Sequence, residues 1–147
     1  MKKILTKEEL RSLSEEIGKI EQKTSAEIRV AVRHTKHWSE RKMTARQVAE
    51  RDFVKLGMSK TEAGTGILIF ILLSERKFEL LADRGIVAVL PLEYWTEVAQ
   101  KLSEHFSQSN FYHGLRTALA EIGKVLAVKL PRKEEAQDEL PNDVVEE

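Results

Sequence analysis

The chain has 147 residues, 41% hydrophobic and 33% charged, with a formal net charge of zero, which fits one domain with a core of ordinary size. It holds no cysteine, so disulfides, thiolate metal sites and cysteine nucleophiles are excluded, in keeping with a reducing compartment. No apolar run approaches the roughly 20 residues of a membrane span, the amino terminus lacks the apolar centre of a signal peptide, and Lys and Arg are scattered without the aromatic-interleaved stripe of a nucleic-acid reader, so the expectation is a cytoplasmic protein with no transmembrane segment and no nucleic-acid partner.

Thr6 followed by Glu9 is a capping box, and Leu10, Leu13, Ile17 and Ile20 recur behind it at helical spacing, which predicts an amphipathic helix to about Lys23. Thr24, Ser25 and Ala26 break that pattern, and residues 27–33 alternate with period two, as a strand with one buried face does. Residues 34–43 are polar, carry Trp38 and read as a surface loop. Thr44 and Gln47 make a second capping box, with Ala45, Val48, Ala49, Phe53 and Leu56 on one helical face and Gly57 placed to end it. The apolar run over residues 66–73 is a buried strand, and the helix between it and residues 27–33 makes the two strands parallel. Ser74, Glu75 and Arg76 form a hairpin turn, so residues 77–83 return antiparallel. Leu90 and Pro91 introduce a third core helix with Trp95, Val98, Ala99, Leu102 and Phe106 on one side. After a break at residues 107–110, Phe111, Leu115, Ala118, Leu119, Ile122, Val125 and Leu126 build the most apolar helix, which stops at Pro131. From Arg132 to Glu147 there are seven acidic residues against two basic ones and no apolar period, so the chain divides into an ordered domain, 1–131, and an acidic disordered tail, 132–147.

Strand direction alone makes a geometric prediction. With the first two strands parallel and the third antiparallel, the starts of the first two share an edge with the end of the third. That edge collects Glu27, then Glu62 with Gly64, Thr65 and Gly66, and finally Asp83, Arg84 and Gly85. Two carboxylates with loop oxygens are the donor type of a hard cation, since calcium takes six to eight oxygens in irregular geometry. The same residues also fit a purely structural reading, in which Asp83 closes a turn with Gly85, Arg84 pairs with a nearby carboxylate and Glu27 ends an edge. At the opposite edge stand His34, Thr35, His37 and Trp38, facing Ser74, Glu75 and Arg76. His34 and His37 chelate zinc only if they share a helical turn with a third ligand nearby, and none is visible. The Gly64-Thr65-Gly66 step leads into a strand and not a helix, which removes it as a phosphate cradle.

The ordered elements resemble the TPM domain family, formerly a domain of unknown function. The resemblance is carried by residues 25–30 (Ser-Ala-Glu-Ile-Arg-Val), by residues 53–58 with Lys60 and Thr61, by residues 66–69, by Lys77 and Phe78, by Asp83-Arg84-Gly85-Ile86, by Trp95 and by the closing pattern from Phe106 to Leu130, so it spans about residues 6–131. It implies an α/β/α sandwich, with a small mixed central sheet flanked by helices in a single domain. It also implies reported calcium binding and a debated acid phosphatase activity, as in plant thylakoid members linked to photosystem repair. This chain is similar to the short soluble bacterial members. Carried over to this sequence, the resemblance matches Glu27 and the Asp83-Arg84-Gly85 turn to the family's polar edge; with Glu62 and Thr65 from the same strand edge, Glu27 and Asp83 make the expected metal site. Ala63 and Thr65 flank Gly64 where relatives often carry Asn and charged residues, and Ala82 stands where many have Gly, so fewer side-chain oxygens gather. The function expected is a non-catalytic binding or adaptor module with a possible calcium site and a protein partner. A metal-dependent phosphatase and a purely structural interaction protein are the alternatives; no nucleophile or poised acid accompanies the edge.

Overall fold

The computed structural model describes residues 4–132 and 144–147. Helix α1 (Lys7–Glu21) begins at Thr6, whose side chain accepts the Glu9 N–H while Glu9 reaches back to the Thr6 N–H. Strand β1 (Glu27–Arg33) leads through a 3-10 turn (Trp38–Glu40) into α2 (Ala45–Lys55), where Thr44 and Gln47 repeat the reciprocal cap. Strands β2 (Gly66–Leu72) and β3 (Lys77–Ala82) follow, joined by a 3-10 turn over Leu73–Glu75. A four-residue helix α3 (Arg84–Val87) precedes α4 (Leu92–Ser107) and α5 (Phe111–Lys129), and β4 (Val144–Glu146) closes the order.

The four strands form one sheet in the order β3-β2-β1-β4. β1 runs parallel to β2 and to β4, and β2 is antiparallel to β3. Alternation then assigns each side chain to a layer. Ile28, Val30, Val32, Ile67, Ile69 and Ile71 pack into one core with buried residues of α1, α4 and α5. Ala31, Leu68, Phe70 and Leu72 pack into a second with Val48, Ala49 and Phe53 of α2 and with Met58. Helices therefore cover both faces, as the expected α/β/α sandwich requires. α5 is wedged between α1 and α4: a Cβ at Gly123 would stand 2.8 Å from Ile20 Cγ1, and one at Gly114 would stand 2.7 Å from His105 Cβ.

Three local expectations are corrected. β1 is not half-exposed, because both faces are covered and six of its seven positions are buried. The Asp83-Arg84-Gly85 step does not close a turn; Asp83 is the N-cap of α3, and its carboxylate accepts the Arg84 N–H at 2.8 Å. Finally, disorder throughout 132–147 does not hold for the last residues. Val144, Val145 and Glu146 pair in parallel with Val30, Ala31 and Val32, the Glu147 N–H donates to the Val32 carbonyl at 2.7 Å and the His34 N–H to the Glu147 carbonyl at 2.9 Å. Two β-branched valines suffice there because β1 already offers an unpaired edge, and Val144 packs against the larger core. Residues 133–143 of that expected tail lie outside the described residues. Where β4 does not reach, the Ile28 N–H donates to Glu21 Oε2 at 2.8 Å, so a carboxylate takes the place of a strand.

Candidate functional site

The register brings the expected edge together. Glu27 aligns with Gly66 across β1 and β2, and the Asp83 N–H donates to the Gly66 carbonyl at 2.9 Å. Positions 27, 66 and 83 thus form one row over three strands, with about 10 Å between the outer Cα atoms from two strand spacings. Ile28 and Ile67 face the larger core and Leu81 faces the α2 core, so the row lies on the α2 side of the sheet. Its middle position must be glycine, because a Cβ at Gly66 would stand 2.5 Å from the Met58 carbonyl oxygen.

Glu27 is buried, at 4% exposure, and Asp83 is half-buried. One Asp83 oxygen is engaged as the α3 cap, while Oδ2 is buried with no hydrogen-bond partner among the described residues. Thr65 is buried, its N–H donating to Thr61 Oγ1 at 2.9 Å and its carbonyl accepting the Glu27 N–H at 2.9 Å. The Gly85 N–H donates to the Gly64 carbonyl at 2.8 Å, which ties α3 to the loop before β2. Arg84 is exposed and lies along Gly64, where a Cβ would stand 2.8 Å from Arg84 Cγ. Glu27, Thr65, Asp83, Arg84 and Gly85 therefore share one edge, while Glu62 is exposed on the preceding loop. Among the described residues no three His, Asp or Glu side chains come together to hold a metal ion.

The carboxyl end of β1 holds a cluster that sequence reading passed over. Arg33, 2% exposed, engages both carboxylate oxygens of Glu40, at 2.5 and 3.2 Å, and lies 3.4 Å from Asp52 and 3.8 Å from Glu147. Burial pulls the Arg33 guanidinium down, but the Glu40 hydrogen bond and the charges of Asp52, Glu40 and Glu147 outweigh it, so its pKa stands above the ordinary value. The same hydrogen bond, helped by the His37 N–H and opposed by burial, holds the Glu40 carboxyl down at about 2. Burial raises Asp52 in spite of the opposing charge of Arg33. A small cavity of about 130 Å³ opens beside these groups and is lined also by His37, Arg51 and Lys55. His34 Nε2 stands 2.9 Å from Glu146 Oε2, so this histidine faces β4. The signal that was missed is an arginine inside a crossover unit: both faces of such a strand are covered, and an inward charge then needs internal partners.

A model of the TPM domain, TPM_phosphatase by name, matches residues 1–125. The chain is similar in structure to the BA42 protein of the psychrophilic bacterium Bizionia argentinensis, with a TM-score of 0.88 and 29% identity over 100% of this chain and 98% of that one. It also shares its fold with the N-terminal domain of a protein from P. gingivalis, with a TM-score of 0.68 and 16% identity over 86% of this chain and 79% of that one. No curated protein matches it.

Proposed function

The chain belongs to the TPM domain family, and from that membership we propose that it is a non-catalytic binding module that takes a calcium ion at the edge shared by β1, β2 and β3 and engages another protein, in the cytoplasm. The observation that carries this reading is the buried, unpartnered Oδ2 of Asp83. A carboxylate oxygen shielded from water and lacking a donor is costly unless a cation or bound water satisfies it. Glu27 stands in the same row across a glycine, so the second carboxylate comes from the sheet itself. Thr65 and Glu62 are the peripheral oxygens of the site, and Arg84 and Gly85 hold its rim. With so few charged ligands the affinity belongs in the weak range, with a Kd of order 10⁻⁴–10⁻³ M.

Calorimetric titration with calcium tests this. A heat signal in the parent protein that disappears in Glu27→Gln and in Asp83→Asn is expected, with both variants retaining the parent's amide spectrum. A flat titration of the folded parent at millimolar calcium overturns the reading. The name of the matching family model favours a second reading, hydrolysis of a phosphate monoester. Metal-dependent turnover of p-nitrophenyl phosphate, lost in the same two variants, would replace binding by catalysis.

A further inference from the structure

The carboxyl end of β2 opens into a groove of about 590 Å³ between the β2–β3 connection and the junction of α4 with α5. That volume is in the range of small-molecule sites, and the position, outside the carboxyl end of a parallel strand, is where open α/β sheets take ligands. Its apolar wall is a series of three half-buried rings: Phe78 meets Phe106 edge-on at 5.6 Å, and Phe106 meets Phe111 at 5.1 Å. Its polar wall is cationic, formed by Arg76 and Lys77, and among the described residues no acidic one lines the groove. The nearest acids in sequence are engaged elsewhere, Glu75 by Lys36 at 2.7 Å and Glu79 by Arg46 at 3.4 Å. Hydroxyl groups of Ser103, Ser107 and Ser109 stand on the same lining.

A second feature coincides with this charge pattern. Arg76 (φ 51°) and Ser109 (φ 61°) are the non-glycine residues with left-handed backbone among the described residues, and both line this groove. Such conformations cost of order 1–3 kcal/mol each and gather at ligand sites. They set the cationic turn and the serine corner on opposite lips of the same opening.

We propose that this groove binds a small amphipathic organic anion, an aromatic or branched apolar body carrying a carboxylate, with the body against Phe78, Phe106 and Phe111 and the carboxylate on Arg76 and Lys77. An aromatic body extends the series of packed rings, edge-on at Phe78–Phe106 and tilted at Phe106–Phe111. The carboxylate receives the charge-assisted hydrogen bonds that the Arg76 guanidinium and the Lys77 ammonium supply. The groove lies at the opposite end of β2 from Glu27 and Asp83, so its occupancy is independent of the proposed calcium site.

Titration of the full chain with 3-phenylpropionate, followed by amide NMR, tests the proposal against two matched probes, the alcohol 3-phenylpropanol and the amine 3-phenylpropylamine. The expected result is saturable shifts at Arg76, Lys77, Ser109 and Phe111, with the acid binding about tenfold more tightly than the alcohol and the amine weakest. In the Arg76→Gln/Lys77→Gln double variant the acid falls to the affinity of the alcohol, while the alcohol itself is unchanged. Because both cations are exposed, that variant leaves the fold intact. Equal binding of the three probes, shifts confined to other surfaces, or no saturable shift overturns the proposal. Concentration-dependent self-association that broadens these same amides would assign the groove to a second copy of the chain and overturn it as well.

Discussion

Arg33 illustrates what a charge requires when its strand is covered on both faces. The guanidinium is buried and its two terminal nitrogens are held by a fork of two contacts to Glu40 and by Asp52 behind it, while Nε has no hydrogen-bond partner among the described residues. Removing one partner from such a cluster leaves the other charges buried and uncompensated, which typically costs about 3–5 kcal/mol. Arg33→Met is therefore expected to lower the unfolding free energy from urea titration by an amount of that order, with a correspondingly lower midpoint. Arg33→Met/Glu40→Gln should recover part of the loss, since the carboxylate most tightly bound to Arg33 is then gone. If the single and double variants unfold at the same midpoint, the cluster does not act as a charge-paired unit. The residue scale is also where sequence reading was weakest. Period-two alternation describes β1 well but does not say whether its second face meets water or a helix, so the burial of Arg33 is not legible in the pattern.

At the scale of elements, most of the molecule was legible because its signals are local. Thr6 with Glu9 and Thr44 with Gln47 start their helices in the structure as in the sequence. The apolar run of β2 is buried at every position. The direction of the strands followed from the crossover helix, which is why Glu27 and Asp83 were placed on one edge. α3 and β4 were not legible, for different reasons. α3 is four residues long and shows no period, being started by the Asp83 cap. β4 is three residues in an acidic segment, and what makes it a strand is the open edge of β1, far away in sequence. That dependence is measurable by hydrogen exchange. Deleting Val144–Glu147 should speed exchange of the His34 amide by at least about tenfold, the factor corresponding to loss of one net hydrogen bond of ~1.4 kcal/mol. The Ile28 amide should stay protected, because its acceptor is Glu21 and not β4. Equal loss at both positions would show that β4 supports the whole sheet and not one edge of it.

For the whole molecule, the two ends of the sheet differ in character. One aligns Glu27 and Asp83 across Gly66; the other is an internally neutralised ion cluster beside a cationic groove. The groove lay beyond sequence reading because its rings come from β3, α4 and α5 and meet only in the folded chain. The ion cluster sets the acid limit of the fold. Glu40 has a folded pKa of about 2 against an ordinary 4.5, so its contribution is complete above pH ~4.5 and is lost as pH falls toward ~2, a loss of order 3 kcal/mol. Asp52 runs the opposite way, since a raised folded pKa favours the protonated fold and its contribution fades as pH rises through that value. Denaturant midpoints at pH 7, 4 and 3 should therefore fall steeply for the parent chain and less steeply for Glu40→Gln, which starts lower. Parallel curves would place the acid sensitivity in other carboxylates.

The wedging of α5 between α1 and α4 has a consequence for biosynthesis. Strands β1 to β3 leave the ribosome well before α5, so the nascent chain carries Ile28, Val30, Ile67 and Ile69 on a sheet face whose main cover has not yet been translated. During that interval the exposed face is sticky, and a pause in elongation between α4 and α5 lengthens the time in which it can meet another chain or a chaperone.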